Sequence, residues 1–196
     1  LSYFKADSES LLKELLLDSV NENKVKSYIN KGVDINAIDD RGKTILFQLA
    51  FKKKFNSIKL LIKLGVDLYK EDNTGATVLS NACEKYDFEA AKFLLQNGYD
   101  INSKNSKGRT VLQELVRVAN LKAYSFLQDF NPDFDSVDNS GKTVLFDAVL
   151  SKNLELVEDV VKKIKDINVT DNNGQNALFY SVLQENLRIS LVLMAK

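Results

Sequence analysis

The chain has 196 residues, and 27 Lys and Arg balance 27 Asp and Glu, so its formal net charge is zero. Domains dedicated to nucleic acid are strongly basic, so this balance argues against nucleic-acid binding. Since no stretch approaches about 18 consecutive apolar residues, we also expect no membrane insertion.

A glycine recurs every 33 residues, at Gly42, Gly75, Gly108, Gly141 and Gly174. A Thr or Asn two residues later and a Leu two residues further on share this step. A fixed period of about 20–50 residues indicates stacked repeats, each burying its apolar face against its neighbours. The sequence therefore predicts one repeat domain, 1–196, with six units at approximately 7–38, 39–71, 72–104, 105–137, 138–170 and 171–196.

The first unit, 7–38, matches the other units only in its second half. Its first half lacks the turn Gly and the Thr, and Glu9 and Leu11 stand in their places. This pattern is typical of an N-terminal capping unit. We expect Ser8 or Ser10 to cap its first helix, because a hydroxyl can accept a bond from a free N–H of the first turn.

The second unit, 39–71, shows the organisation that we expect of every unit. A turn ends at Gly42, and Thr44 is expected to cap a first helix. Polar Lys52–Lys54 separates that helix from a second one, which Gly65 closes in a left-handed conformation. Each helix has about ten residues and is marginal in isolation, so its apolar stripe must pack against neighbouring units.

The unit at 138–170 departs from the pattern, and we expect it to be the most irregular internal unit. Ile164 occupies the position of Gly65 and Gly98, where a β-branched residue with positive φ is costly. Asn131, one unit earlier, is tolerated far better there. The chain is therefore expected to leave its helix differently near Ile164.

In the last unit, Leu191 stands at a position that elsewhere holds Lys59, Lys92, Ser125 and Glu158. A terminal repeat needs a polar outer face. Either the parent protein continues past Lys196, or another surface covers this helix.

These residues resemble the ankyrin repeat family over essentially the whole chain. The family signature is Thr-Pro-Leu-His-x-Ala, and four units here keep its Thr and Leu while every unit lacks its Pro and His. The missing Pro should lower the stability of each unit, and the missing His removes a polar contact between turns. The resemblance implies an all-α ankyrin-repeat solenoid of about six stacked helix-turn-helix units, with no sheet beyond short turn contacts.

The sequence offers little for catalysis. It contains no His, the commonest general base and a frequent zinc ligand. We interpret the single Cys, Cys83, as a buried core thiol. The repeated turn carboxylates Asp39, Asp72, Asp138 and Asp171 are interpreted as turn-stabilising groups. We therefore expect no enzyme, no catalytic residue, no metal and no cofactor. One Cys fits a reducing compartment, although a secreted protein without disulfides would look the same.

The resemblance also implies a binding face, a concave groove lined by the turns and by the ends of the first helices. In this chain the groove positions are rich in basic residues and include apolar anchors. This composition suits an acidic, partly apolar protein partner, although ordinary solvated lysines could also account for it. The predicted partner-binding residues are Arg41, Lys43, Phe51, Lys52, Lys85, Lys107, Arg109, Arg117, Val118, Lys142 and Leu150.

The favoured hypothesis is a non-catalytic protein–protein interaction scaffold. The alternative is a targeting module of a larger secreted effector or enzyme whose catalytic part is not in this chain. An intracellular location, or secretion into a host cell, fits these two hypotheses.

Overall fold

The computed structural model describes residues 6–196, so residues 1–5 of the predicted 1–196 domain lie outside the described part. Its regular elements are twelve helices. Within residues 6–196 the β pairings are two isolated bridges, Ile38–Thr44 and Thr170–Asn176. The predicted all-α fold is confirmed. The helices are α1 Ala6–Leu15, α2 Glu22–Asn30, α3 Ile45–Phe51, α4 Phe55–Lys63, α5 Val78–Glu84, α6 Phe88–Gln96, α7 Val111–Arg117, α8 Leu121–Gln128, α9 Val144–Leu150, α10 Leu154–Val160, α11 Ala177–Leu183 and α12 Leu187–Met194.

The helices form two compact bodies, Leu1–Asp100 with α1–α6 and Ile101–Lys196 with α7–α12. In each repeat a turn leads into a first helix, which pairs with a second helix, as α5 pairs with α6 and α9 with α10. The first helices of successive repeats also pack together, α3 on α5 and α9 on both α7 and α11. Their apolar residues form the core, as Leu46 and Leu79 do in the first body and Leu112 and Leu145 in the second.

The turn carboxylates hold the turns, as the sequence predicts. Asp39 Oδ1 accepts the backbone N–H groups of Arg41 and Lys43, both at 2.9 Å. Asp138 Oδ1 accepts those of Ser140 at 2.8 Å and Lys142 at 3.0 Å. An Asp side chain that bonds the backbone in this way fixes the turn before each first helix.

The turn glycine is needed for two reasons, both visible at Gly42. Its φ is +74°, a conformation that costs residues with a Cβ about 1–2 kcal/mol. A Cβ at Gly42 would also lie 2.8 Å from the amide nitrogen of Asn73 in the next turn. The recurring Gly therefore allows successive turns of one body to approach closely.

The caps of the first helices differ from the prediction in part. Thr77 and Thr110 accept the N–H of Ser80 and Gln113, and those two side chains bond back to complete capping boxes. Thr44 is the N-cap of α3 but its side chain makes no capping bond, so that part of the prediction is wrong. Phe47 stands three residues on and has no polar group to return the bond.

The predicted cap of the first repeat is also wrong. The helix α1 already includes Ala6, so Ser8 and Ser10 lie inside it rather than before it. Ser8 is buried there. The sequence rule failed because the helix extends further upstream than its apolar pattern indicates.

The prediction for Ile164 is confirmed. Gly65, Gly98 and Asn131 have positive φ, whereas Ile164 does not. The helix α10 ends at Val160, and the Ile164 amide donates to the Val160 carbonyl at 3.1 Å. A right-handed turn thus replaces the left-handed closure, because Ile tolerates that conformation poorly.

A second left-handed position, which the sequence pattern does not predict, precedes the second helix of five repeats. Its residues, none of them glycine, have φ between 51° and 59°: Lys53, Tyr86, Ala119, Lys152 and Glu185. The next residue is the N-cap of the second helix. Asp87, Asn120, Asn153 and Asn186 cap with their side chains, whereas Lys54 does not.

Candidate interaction surface

The predicted partner-binding residues fall at two kinds of position in each repeat. One group lies in the turns, and the other lies at the last residue or C-cap of a first helix. The turn group is Arg41, Lys43, Lys107, Arg109 and Lys142, and the helix-end group is Phe51, Lys52, Lys85, Arg117, Val118 and Leu150.

At the helix ends of the first body, an exposed aromatic ring lies close to two cations. Phe51, the last residue of α3, is 67% exposed. The Nζ atoms of Lys52 and Lys85 lie 5.6 Å and 5.9 Å from its ring centroid. Ammonium groups within about 6 Å of an aromatic face are attracted to it. We call Phe51, Lys52 and Lys85 the Phe51 cluster.

The Phe51 cluster borders a small crevice between α3 and α5, with a volume of about 140 Å³. Its lining is mostly apolar and includes Phe47, Ala50, Val78 and Ala82. The half-buried Asn81 adds a side-chain amide to the wall. An apolar recess beside an exposed aromatic ring and two cations offers a partner both a place to bury a side chain and charges to pair with.

Three of the turn cations occupy one position of the repeat, and each pairs with the turn Asp of the following repeat in its own body. Lys43 Nζ lies 3.6 Å from Asp72, and Lys142 Nζ lies 3.8 Å from Asp171. Arg109 Nη1 lies 3.2 Å from Asp138. The basic character of this position therefore serves contacts between repeats. A Lys or Arg with an Asp 29 residues later is the sequence signal that could have shown this.

Arg109, one of the predicted partner-binding residues, is buried rather than presented on the surface. Only 7% of its side chain is exposed, and its Nη2 donates to Asp147 at 2.7 Å and to the Gln113 carbonyl at 3.0 Å. An Arg held by two carboxylates and a carbonyl inside the protein presents no free charge to a partner. We therefore leave Arg109 out of the interaction surface.

The partner of Arg109 has an unusual environment. Asp147 is 1% exposed, and its Oδ2 has no hydrogen bond to any residue in 6–196. Burial raises the pKa of Asp147 to about 6, although the adjacent Arg109 opposes that shift. No sequence pattern near Asp147 indicates this environment, because its partner Arg109 lies 38 positions away in the sequence.

The other cations stay exposed on the surface. Arg41, Lys52, Lys85, Lys107 and Arg117 are exposed, and none lies within 4.0 Å of a carboxylate among the described residues. In the second body, Val118 is 67% exposed beside Arg117, whereas Leu150 is only partly exposed. Most of the predicted partner-binding residues that are exposed therefore belong to the helix-end group rather than to the turn group.

The predicted thiol environment of Cys83 is confirmed. Its side chain is fully buried, and burial raises the pKa of the thiol to about 12. A thiol in that state is protonated at neutral pH and behaves as a small apolar side chain.

The repeats match a known protein family. A family model described as ankyrin repeats (3 copies) matches residues 15–105 and, in an overlapping second match, residues 79–171. No curated protein matches the chain. Among the described residues, no helix is long and apolar enough to span a membrane.

Proposed function

The chain belongs to the ankyrin repeat family, and from that membership we propose that it is a non-catalytic scaffold that binds another protein through the turns and first-helix ends of its repeats. Ankyrin repeats generally mediate protein–protein interactions.

The observation that carries the proposal is the Phe51 cluster and the crevice beside it. Exposed aromatic residues next to a recess are frequent centres of binding energy in protein interfaces. The partner would place an apolar side chain in the crevice and against the Phe51 ring. Carboxylates flanking that side chain would reach Lys52 and Lys85, since complementary charges favour association and orient the partner.

The second body carries a related pair at the end of α7. Arg117 and Val118 combine an exposed cation with an exposed apolar side chain, as Lys52 and Phe51 do at the end of α3. Lys107 adds an exposed cation in the preceding turn. We propose these three residues as an interaction surface of the second body, and Arg41 as a further exposed cation on that of the first.

A pull-down with the chain, followed by mass spectrometry, tests the proposal and identifies the partner. We expect Phe51→Ala to weaken binding of the captured protein by about 30-fold, as truncation at the centre of an interface does. Leu121→Ala is the matched control, because it removes a 36% exposed apolar side chain from the start of a second helix. Equal affinities of the two variants would contradict the proposal.

The alternative function, a targeting module of a larger secreted effector or enzyme, has one observation in its favour. Several large apolar residues of α11 and α12 are exposed, among them Leu187 at 69% and Val182 at 61%. The length of the native open reading frame separates this alternative from a self-contained scaffold.

A further inference from the structure

We propose that the crevice beside the Phe51 cluster holds one extended segment of the partner, and that the side-chain amide of Asn81 binds the main chain of that segment. This assignment rests on the proposed function and narrows the partner to a protein with an exposed linear stretch. The stretch places an apolar side chain in the crevice, with acidic residues two positions before and two positions after it.

The side-chain amide of Asn81 is available to a partner. Asn81 lies on α5, is half-buried and lines the crevice. Its side chain makes no hydrogen bond to any residue in 6–196. An amide that has lost part of its contact with water gains when a ligand supplies the missing hydrogen bonds. The crevice therefore favours a ligand that brings polar atoms to Asn81 as well as an apolar group.

Asn81 differs in this respect from the residues at the same position of later repeats. Glu114, Asp147 and Tyr180 stand there in the next three repeats, and each bonds another side chain of the protein at 2.6 or 2.7 Å. The polar group at this position therefore makes an internal contact in those repeats. At Asn81 the same position is left for a partner.

The chemistry of an amide matches that of an extended main chain. An Asn side chain has a carbonyl oxygen that accepts and an NH₂ group that donates. In an extended strand the N–H and C=O of one residue point to the same side, so one neighbour can bond both. Asn81 Oδ1 would accept that N–H, and Asn81 Nδ2 would donate to that C=O. A helical segment offers no such pair, since its backbone groups bond each other.

The size of the crevice also favours an extended segment. Its volume is about 140 Å³, and a cavity of about 150 Å³ holds a group the size of benzene. It therefore takes one apolar side chain. An amphipathic helix would instead need a longer groove, because it docks through several apolar anchors along one face.

Lys52 and Lys85 determine the charge of the segment. Both ammonium groups lie against the Phe51 ring, at 5.6 Å and 5.9 Å from its centroid. Asp87, the acidic residue of the crevice lining, is already engaged inside the protein, because it accepts the Ala90 N–H at 3.2 Å. In an extended chain, side chains two residues apart share a face and lie about 7 Å apart. Acidic residues on both sides of the buried one would thus reach the two cations.

The test measures binding of a synthetic peptide, Gly-Glu-Thr-Leu-Thr-Glu-Gly with an N-terminal fluorophore, by fluorescence anisotropy. Its Thr residues favour the extended conformation. A second peptide is methylated on the Leu nitrogen, which removes the N–H that would reach Asn81. We expect this change to weaken binding by about ten-fold. The matched control is methylated on the nitrogen of the following Thr, which points to the opposite side, and should stay within about two-fold of the parent peptide.

The variant Asn81→Leu assigns the effect to its residue. We expect the parent peptide to bind this variant about ten-fold more weakly than the unmodified chain. Methylation of the Leu nitrogen should then have no further effect, because the bond that it removes is already absent. Circular dichroism checks that the variant remains folded, and the methylated peptides test the same bond on the unmodified chain.

Three results would overturn this assignment: no binding of the parent peptide at about 1 mM, equal losses from the two methylations, or an unchanged effect of Leu methylation in Asn81→Leu. A lactam-bridged helical peptide with the same Leu and Glu side chains that binds at least as tightly would also overturn it. None of these results affects the proposed function, which fails only if Phe51→Ala leaves the affinity for the captured protein unchanged.

Discussion

At the scale of single residues, the buried pair of Arg109 and Asp147 shows a polar group used for structure rather than for binding. Asp147 has one carboxylate oxygen bonded to Arg109 and one without a bonding partner among residues 6–196. Desolvation disfavours its charged form more strongly than Arg109 favours it, so the pKa is raised from 3.8 to about 6. Ionisation of Asp147 is therefore a cost to the folded state near neutral pH.

This cost predicts an unusual pH dependence of stability. A carboxyl whose pKa is higher in the folded than in the unfolded state stabilises the protein when protonated, and that contribution is lost as the pH rises through about 6. We expect the free energy of unfolding to fall by about 1 kcal/mol between pH 5 and pH 7, measured by urea titration. The chain has no His to mask the effect.

Two variants assign the effect to its residue. Asp147→Asn should flatten the dependence between pH 5 and pH 7. Glu84→Gln should retain most of it, although burial also raises the pKa of Glu84. Stability of the unmodified chain that increases over this interval would show that Asp147 is already ionised at pH 5.

At the scale of elements, the 33-residue period predicts the helices and turns more reliably than residue preferences predict individual helix caps. The 33-residue period places the turns, both helices of each repeat and the exit at Ile164. These features follow from local patterns of Gly, Asp and apolar residues. The position of Lys53 and Ala119 was missed because no glycine marks it, and Arg109 was misplaced because its partner lies on a helix far along the sequence.

The start of α4 offers a test of capping. Lys54 is its N-cap and makes no side-chain cap bond, whereas Asn120 caps α8 by accepting the N–H of Ala123. Replacing Lys54 by Asn should therefore add a cap worth about 1 kcal/mol. The replacement also removes the ion pair with the fully exposed Asp18, and a pair so exposed to solvent contributes less than the cap. Thermal or urea unfolding of Lys54→Asn measures the net gain. Asn120→Lys is the reciprocal control and should destabilise, and a Lys54→Asn chain no more stable than the parent would contradict this account.

The left-handed position before the second helices offers a test of backbone strain. Ala119 has φ 51°, which costs a residue with a Cβ about 1–2 kcal/mol. Glycine avoids that cost but loses about 0.5–1 kcal/mol more backbone entropy on folding. We expect Ala119→Gly to raise the free energy of unfolding by about 0.5 kcal/mol. Ala119→Val should lower it, since β-branched residues tolerate this conformation least. Urea titration of both variants checks the opposite signs, and equal effects would contradict the explanation.

At the scale of the whole molecule, a neutral chain has an uneven distribution of charge over its surface. Some basic residues pair with acids between repeats, as Lys43 does with Asp72, and contribute to packing. Others, such as Lys52 and Lys85, are exposed beside apolar side chains and are available to a partner. The sequence alone could not separate these two groups, because pairing depends on the distance between side chains of successive repeats.

The most direct test of the proposed function measures the affinity of the captured partner for two variants. Each variant carries two Lys→Glu charge reversals. Lys52→Glu with Lys85→Glu changes the Phe51 cluster, and Lys59→Glu with Lys92→Glu changes exposed lysines on the second helices α4 and α6. Exposed charges contribute little to folding, so both variants should remain folded. We predict that the first variant weakens binding by about ten-fold or more at low salt, and that the second stays within about two-fold of the parent. Equal affinities of the two variants would contradict the assignment of binding to the turn and first-helix surface.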